Sequence, residues 1–381
     1  MHPISRARSC VSDENGIQMK KTVLHHLFEQ QGQSPYFDNL CRPVSDFHSL
    51  IAAGIRGLTT NPSIFERAIT SFNAYNTQFR ELIESGNNIE DAYWELVVKD
   101  ITDACKVFES LHHQSNGVDG YVSIPVSPRF SRDPNRTTEA AKWLYKKINC
   151  PNLYIKIPAT IQSISSITEL ISHGISVNVT LIFCLTRYEA VIDAYIKGLE
   201  ASTSTDLSRV TSASAFYISR VDSFIDEKLE KIGGPKALAL CGKGAVAQAV
   251  LAYRLFQKKF SGSRWEALEK RGAKKQKLMW ASVNVKNPVY SDILYVDSLI
   301  GPNTISTMPE QAFLAFMDHG IVARTINANV SEEAEAIYNG VEKLGIDWDG
   351  VGSELENQVL ETFNKSFNST LEFLEKKAKC F

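Results

Sequence analysis

The sequence predicts an α/β protein in which a parallel sheet closes into a (β/α)8 barrel, the TIM-barrel architecture. Three observations predict it: eight short β-rich runs, longer segments of helical spacing between them, and no linker long enough to divide the 381 residues. Strands alternating with helices indicate βαβ units, and eight of them favour a closed barrel over an open sheet. No GxGxxG or Walker pattern follows the early runs, which weakens a nucleotide-binding alternative.

The individual elements follow from the period of the apolar residues. Strands are predicted at residues 36–40, 57–62, 121–127, 153–159, 176–183, 210–219, 278–283 and 292–299. Helices are predicted at residues 88–111, 137–147, 163–172, 185–200, 221–232, 245–260, 308–318, 332–344 and 352–378. Residues 1–21 are polar and read as a flexible tail, so the barrel is expected over 22–381 with a helical extension at each end.

The composition excludes several classes of function. The chain is 44% hydrophobic and 22% charged with a net charge of -2, which gives no electrostatic support for a nucleic-acid partner or an anionic membrane surface. No run approaches the 18 apolar residues of a membrane span. Its seven cysteines lack CxxC spacing and its eight histidines lack HExxH spacing, so we expect no metal and a cytoplasmic protein with reduced thiols.

One lysine stands out because apolar residues flank it on both sides. Lys156 lies in "NLYIKIPAT", and an ammonium in a strand covered on both faces is costly unless it is paired or neutralised. A desolvated lysine has a lowered pKa and can attack a carbonyl carbon, which suits imine chemistry. The alternative is a structural lysine satisfied by a carboxylate.

Other polar residues fall near predicted strand ends, where barrel enzymes keep their catalytic groups. Each has a simpler explanation when taken alone: Asp38 as a helix cap, Thr180 as an ordinary strand residue, Arg220 as a surface residue at a helix start. The complete set is Asp38, Asn61, Lys156, Asn178, Thr180, Arg220, Ser282 and Lys286.

Several long blocks, in order, resemble transaldolases, in particular the plant-type branch. They are "GIRGLTTNPSIFERAI", "NLYIKIPAT", "GISVNVTLIFCLTRYEAVIDAYIKGLEA", "FSGSRWEAL" and "YSDILYVDSLIGPNTISTMP", and the similarity runs from about Thr22 to the C-terminus. The resemblance implies a barrel whose lysine forms a Schiff base with a ketose phosphate, without metal or organic cofactor. The family reaction converts sedoheptulose 7-phosphate and glyceraldehyde 3-phosphate into erythrose 4-phosphate and fructose 6-phosphate. A homodimer is possible, and a plastid location is the alternative if a longer precursor was truncated.

The resemblance also implies roles for individual residues. Lys156 matches the Schiff-base lysine, Asp38 the aspartate that takes and returns the C4 hydroxyl proton, and Thr180 the threonine that orients the catalytic water. The residues matched to substrate hydroxyls and phosphate are Asn61, Asn178, Arg220, Ser282 and Lys286.

Four positions depart from the family pattern. Pro125, in "YVSIPVSP", stands where the family has the glutamate that acts as general acid and base. Proline transfers no proton, and it removes an N–H from an interior strand. Ala215 and Cys184 each replace a serine, and Val283 replaces a threonine. Ser214 does not compensate for Ala215, because adjacent strand residues face opposite ways. We expect the four changes to cluster at the barrel mouth.

These departures leave three hypotheses besides an ordinary transaldolase in which another residue replaces the glutamate. The leading one keeps Lys156 as nucleophile but weakens or abolishes dihydroxyacetone transfer, since general acid–base assistance contributes about 10²–10⁴ in rate. The second is an imine or enamine condensation enzyme that takes another small carbonyl substrate. The third is a non-catalytic barrel that binds sugar phosphates.

Overall fold

The structure, a computed structural model, describes residues 21–381 and confirms the predicted barrel. Eight parallel strands close on themselves, with the first strand paired to both the second and the eighth. The predicted tail, residues 1–21, lies outside the described residues except for Lys21. The strands are β1 Gln33–Asp38, β2 Leu58–Thr59, β3 Val122–Pro125, β4 Leu153–Pro158, β5 Val177–Ile182, β6 Ser212–Tyr217, β7 Lys277–Ala281 and β8 Thr304–Met308.

Helices surround the barrel and extend it at both ends. In chain order they are α1 Val23–Gln31, α2 Phe47–Ala52, α3 Pro62–Ser71, α4 Asn76–Glu84, α5 Ile89–Gln114, α6 Pro134–Ile148, α7 Ile164–Ser172, α8 Leu185–Ala201, α9 Ser219–Ile232, α10 Gly234–Leu238, α11 Gly244–Lys259, α12 Ser263–Glu269, α13 Leu294–Asp297, α14 Glu310–His319, α15 Ser331–Lys343 and α16 Trp348–Ala378. Short 3-10 turns occur at Val44–Asp46, Asn73–Tyr75, Pro128–Phe130 and Ala328–Val330.

The prediction for the eighth strand was wrong. Residues 292–299 contain the one-turn helix α13, and the strand that closes the barrel is β8, further along the chain. The buried side chains of Ile293, Val296 and Leu299 are spaced three apart, which is helical spacing that a short apolar run does not distinguish from a strand. Conversely, β8, "TISTM", is a fully buried strand, but its threonine and serine residues do not form the apolar run that would predict one.

The second strand is shorter than predicted because a helix cap interrupts it. Asn61 adopts extended backbone geometry and its side chain accepts a hydrogen bond from the backbone N–H of Ile64, at 3.1 Å. Pro62 then occupies the first helical position, where its missing N–H costs nothing. The chain therefore turns from strand to helix immediately after β2, at the C-terminal end of the barrel.

The long helix α16 lies across this C-terminal end. Ser366 Oγ is 2.8 Å from Ser63 Oγ, and Glu356 Oε2 is 2.6 Å from Arg187 Nη1. Arg129 Nη2 donates to Asn368 Oδ1 at 2.7 Å. Because Ser63, Arg129 and Arg187 all follow strand ends, these contacts attach α16 to the rim where barrel enzymes carry their active sites.

Within residues 21–381, no helix combines the length and apolar character needed to span a bilayer.

Candidate active site

Most of the predicted site residues meet at the C-terminal mouth of the barrel. A cavity of about 230 Å³ there is lined by Asp38, Asn61, Lys156, Arg220, Ser282 and Lys286, together with Ala215. A smaller cavity of about 30 Å³ lies on the other side of Lys156 and is lined by Thr180 and Pro125. Asn178 lies beside Lys156 in the register of β4 and β5. Lys156 is therefore the shared wall of two cavities.

Lys156 points into the barrel and is only 6% exposed. Its Nζ donates a hydrogen bond of 3.0 Å to the backbone carbonyl of Thr60. Burial lowers the pKa of Lys156, and the charge of Asp38 opposes that shift. The amine thus loses its proton more readily than a surface lysine, as a nucleophile requires.

Asp38 ends β1 and faces the same cavity. Its Oδ1 accepts a hydrogen bond of 2.7 Å from the Thr59 hydroxyl, which also contacts Thr307 Oγ1 at 2.5 Å. Burial raises the pKa of Asp38, while Lys156, Thr59 and Arg67 lower it. A carboxyl group with these opposing influences suits proton transfer.

The two asparagines, Asn61 and Asn178, differ in the hydrogen bonds that their side-chain atoms already make. The Asn61 side chain is partly committed to capping α3. Asn178 is fully buried and donates 3.0 Å to Ser123 Oγ, while its Oδ1 has no hydrogen-bond partner among the described residues. A buried acceptor without a partner is costly. Asn178 lines neither cavity, so it is not among the predicted site residues that the structure brings to the open space beside Lys156.

The far end of the larger cavity is positively charged. Arg220 lies in the first turn of α9 and Lys286 in the loop after β7. Burial and then the charge of Arg220 lower the pKa of Lys286. Ser282 Oγ is 2.8 Å from Ser219 Oγ, which joins the end of β7 to the start of α9. The cations and the helix N-terminus together fit an anion such as phosphate.

Among the lining residues that sequence reasoning missed, three bear on the chemistry or the shape of the site. Tyr217 lines the larger one, and its hydroxyl is 3.2 Å from Thr180 Oγ1. The period of two that points Ala215 inward also points Tyr217 inward, so this residue was within reach of the argument. Arg67, on α3, adds a third cation at the rim. Phe363, on α16, lines both cavities, and no local pattern indicates that position.

Of the four altered positions, two line the cavities and two lie just beyond strand ends, outside the cavities. Pro125 and Ala215 line the cavities. Val283 is fully buried in the core and lines neither cavity. Cys184 lies under α16: a Cβ atom added at Gly352 of that helix would be 3.0 Å from Cys184 Sγ. Burial raises the pKa of the Cys184 thiol to about 12. Neighbouring Ser214 donates to the backbone carbonyl of Lys277 at 3.4 Å and lines neither cavity.

The hydrogen-bond register of β3 explains how the backbone accommodates Pro125. The N–H groups of Val122 and Val126 donate to β4, at 3.0 and 3.1 Å. Alternate residues of a strand face opposite neighbours, so the nitrogen of Pro125 faces β2. Because β2 has already ended at Thr59, no carbonyl of β2 needs a donor there. The proline therefore costs no ladder hydrogen bond.

Comparison with known proteins shows the family of the chain. The family model described as transaldolase/fructose-6-phosphate aldolase matches residues 39–374. The chain belongs to this family. Its relatives include a transaldolase of Parafrankia sp., 45% identical over 83% of this chain and 86% of the relative. A transaldolase of Mycolicibacterium paratuberculosis is 43% identical over 84% and 87%, and one of Mycobacterium leprae is 41% identical over 89% and 92%.

Proposed function

We propose that the protein is a transaldolase-like enzyme that forms an imine between Lys156 and a ketose phosphate. The observation that carries this is the buried amine of Lys156, with its lowered pKa, in one cavity with Asp38 and with the cations Arg220 and Lys286. The two cations would hold the phosphate group. With the phosphate held by these cations and the carbonyl carbon at Lys156, the sugar chain between them would pass Asp38.

The reaction follows from these positions. The neutral amine adds to the substrate carbonyl carbon, and the resulting carbinolamine takes up a proton from solvent at its hydroxyl group and loses water to give a protonated imine. Asp38 accepts the proton of the C4 hydroxyl as the C3–C4 bond breaks. The electron pair of that bond moves towards the imine nitrogen, leaving an enamine and releasing an aldehyde. The enamine then attacks an acceptor aldehyde, or takes a proton and is hydrolysed.

Proton transfer at the imine is the step in which this chain would differ from a family member that carries the glutamate. Pro125 offers no proton where the family resemblance implies a glutamate. The hydroxyls of Tyr217 and Thr180, 3.2 Å apart, are the protein groups best able to hold a water near Lys156. A phenol is by nature a weaker acid than a carboxyl group, and burial raises the pKa of Tyr217 further. We therefore propose that dihydroxyacetone transfer is slowed by about 10²–10⁴ relative to an enzyme with the carboxylate.

The test is reductive trapping. Fructose 6-phosphate is added with borohydride, which reduces an imine to a stable secondary amine, and the modified peptide is located by mass spectrometry. We expect an adduct of the six-carbon or three-carbon unit on the peptide that contains Lys156. Absence of any adduct with ketose phosphates, dihydroxyacetone or other small carbonyl compounds would rule out the imine mechanism.

The pH dependence of trapping follows from the lowered pKa of Lys156. Dihydroxyacetone has no C4 hydroxyl, so its trapping reports imine formation without cleavage. The amine attacks only when neutral, so the initial rate should rise with pH and level off above the pKa of Lys156. Because burial lowers this pKa, the midpoint should lie below the ordinary lysine value of 10.5. A midpoint at or above that value would contradict the assignment.

Asp38→Asn separates cleavage from imine formation. The amide accepts no proton from the C4 hydroxyl, so we expect fructose 6-phosphate cleavage to fall by about 10²–10⁴. Trapping of dihydroxyacetone should continue within a few-fold. The control is Asp226→Asn, since Asp226 lies outside both cavities and hydrogen-bonds Tyr290. Equal losses of trapping and cleavage in Asp38→Asn would contradict its role as the base.

One observation favours a second candidate, a barrel that binds sugar phosphates without turnover. Arg220 and Lys286 remain available while Pro125 offers no proton. In that case fructose 6-phosphate should bind in calorimetry, Arg220→Ala should abolish the binding, and Lys156→Ala should not. No covalent adduct should form. An adduct on Lys156 excludes this candidate.

A further inference from the structure

Ser127 carries a buried hydroxyl for which the described residues supply no partner. The residue lies just after β3, where it is 2% exposed, and its Oγ makes no hydrogen bond within residues 21–381. A buried hydroxyl without a partner is destabilising, and native structures that keep one generally do so for a bound water, an ion or a catalytic task. Ser127 Oγ is therefore available to a small ligand.

The smaller cavity beside Lys156 is the space that this hydroxyl can share with a ligand. Its volume of about 30 Å³ exceeds the roughly 10–15 Å³ that one ordered water needs. Carbon from four prolines and two leucines forms much of its wall, so the polar groups that could hold a water are few. The polar residues that line it are Asn61, Ser127, Ser131, Lys156 and Thr180.

Ser127 completes a set of partners for one water beside the amine. An ordered buried water typically makes about two to four hydrogen bonds, and a water in so small a cavity lies near each of its walls. The Thr180 hydroxyl contacts Tyr217 at 3.2 Å and can still bind a water, since a hydroxyl offers one donor and two acceptor positions. Asn61 Oδ1 already caps α3. Ser127 and Thr180, with the nitrogen of Lys156, therefore supply the partners that a water needs.

Ser127 also lies between this cavity and the protein surface. A cleft of about 560 Å³, lined by the exposed residues Arg136, Glu139 and Trp143, includes Ser127 in its wall. Among the described residues, Ser127 alone lines both spaces. The residues that line the cleft are all different from those that line the larger cavity. A water held by Ser127 therefore does not compete with a sugar phosphate for the larger cavity.

We propose that Ser127 is a positioning residue, which holds the water that imine formation releases and imine hydrolysis consumes. The inference rests on the proposed imine at Lys156. The side chain of Pro125 supplies no hydrogen bond to this water, whereas Ser127, two positions further along the chain, can both donate and accept.

Ser127 orients the water through a hydrogen bond and is unchanged at the end of the step. In hydrolysis the oxygen of the water adds to the carbon of the protonated imine. The C–N bond then breaks with its electron pair on nitrogen, both water protons end on that nitrogen, and the oxygen remains as the carbonyl oxygen. The Lys156 ammonium loses one proton to solvent before the next cycle. Imine formation runs through the same steps in reverse.

Exchange of the carbonyl oxygen of dihydroxyacetone with isotopically labelled water measures this step. Each cycle of imine formation and hydrolysis replaces that oxygen without breaking a carbon–carbon bond, and Lys156→Met supplies the uncatalysed rate. We expect Ser127→Ala to lower the Lys156-dependent exchange rate by at least about fivefold. The fraction of protein that borohydride traps after equilibration should stay the same, because a positioned water speeds imine formation and hydrolysis equally.

The matched control is Ser306→Ala. Ser306 Oγ is likewise buried without a partner among the described residues, but it lies in β8 and lines neither cavity. Neither alanine variant should lower the thermal midpoint, because each removes an unsatisfied hydroxyl. Ser127→Thr keeps a hydroxyl and should retain most of the exchange. If Ser127→Ala does not fold, Ser127→Cys keeps the side-chain volume, weakens the hydrogen bond and should show the same loss.

The outcomes separate this role of Ser127 from the imine mechanism itself. Exchange within about twofold of the wild type in the Ser127 variant that folds would overturn the proposal and leave the imine standing. An equal loss in Ser306→Ala would overturn it as well. A parallel fall in the trapped fraction would indicate a substrate contact and would also overturn it. Absence of Lys156-dependent exchange and of any adduct in the wild type would overturn both.

Discussion

Lys156→Met is expected to abolish the borohydride-trapped adduct and to lower ketose phosphate cleavage by at least about 10⁴-fold. Methionine has nearly the shape of lysine and lacks the amine, so the loss isolates the nucleophile. Because Lys156 is buried and contacts a backbone carbonyl, its replacement by an apolar side chain should leave the thermal midpoint unchanged or raise it. Stability and activity should therefore move independently.

A second, partly buried lysine provides the control. Lys277 lies at the opposite end of the barrel, where its Nζ is 2.9 Å from Oδ1 of the fully buried Asp119. Arg56 Nε contacts the other oxygen of Asp119 at 2.7 Å. Lys277→Met should lower the thermal midpoint because it removes one of these two partners, while adduct formation continues. Trapping that survives in Lys156→Met would contradict the role of Lys156 as nucleophile.

Pro125→Glu is expected to raise dihydroxyacetone transfer from fructose 6-phosphate to erythrose 4-phosphate by about 10²–10⁴. Position 125 pairs with Lys156 in the register of β3 and β4 and lines the smaller cavity, so a carboxyl group there would lie close to the imine. The new backbone N–H would face the space beyond the end of β2 and would need no change in the ladder. The measurement is a coupled assay of wild type and variant under identical conditions.

The matched variant is Pro125→Gln, which has the same size and no proton to transfer. We expect no comparable gain from it. Adding Ala215→Ser to Pro125→Glu restores a hydroxyl to the cavity wall and should increase the rate further. No gain in either the single or the double variant would mean that Pro125 is not what limits transfer. Equal rates of dihydroxyacetone transfer in the wild type and in Pro125→Glu would indicate that another group, such as Tyr217, replaces the glutamate fully.

The larger elements were predictable because they depend on local period. The alternation of apolar and polar residues located seven of the eight barrel strands and the long helices within a few residues. It failed at β8, where threonine and serine fill a strand that barrel closure buries completely. A short run reports its own periodicity, but its burial depends on the strands that pair with it.

By itself, the sequence raised the possibility that Lys156 points inward, because apolar residues flank it on both sides in a strand; its burial in the barrel decided it. The sequence determined that Pro125 brings no proton, since that is a property of the residue type. Only the tertiary structure decided that Val283 and Cys184 lie outside the cavities, and that Arg67 and Phe363 line them. The smaller cavity likewise exists only after closure of the barrel and docking of α16 bring Pro62, Pro125 and Leu360 together. Contacts between residues far apart in the chain depend on packing geometry, which no local period records.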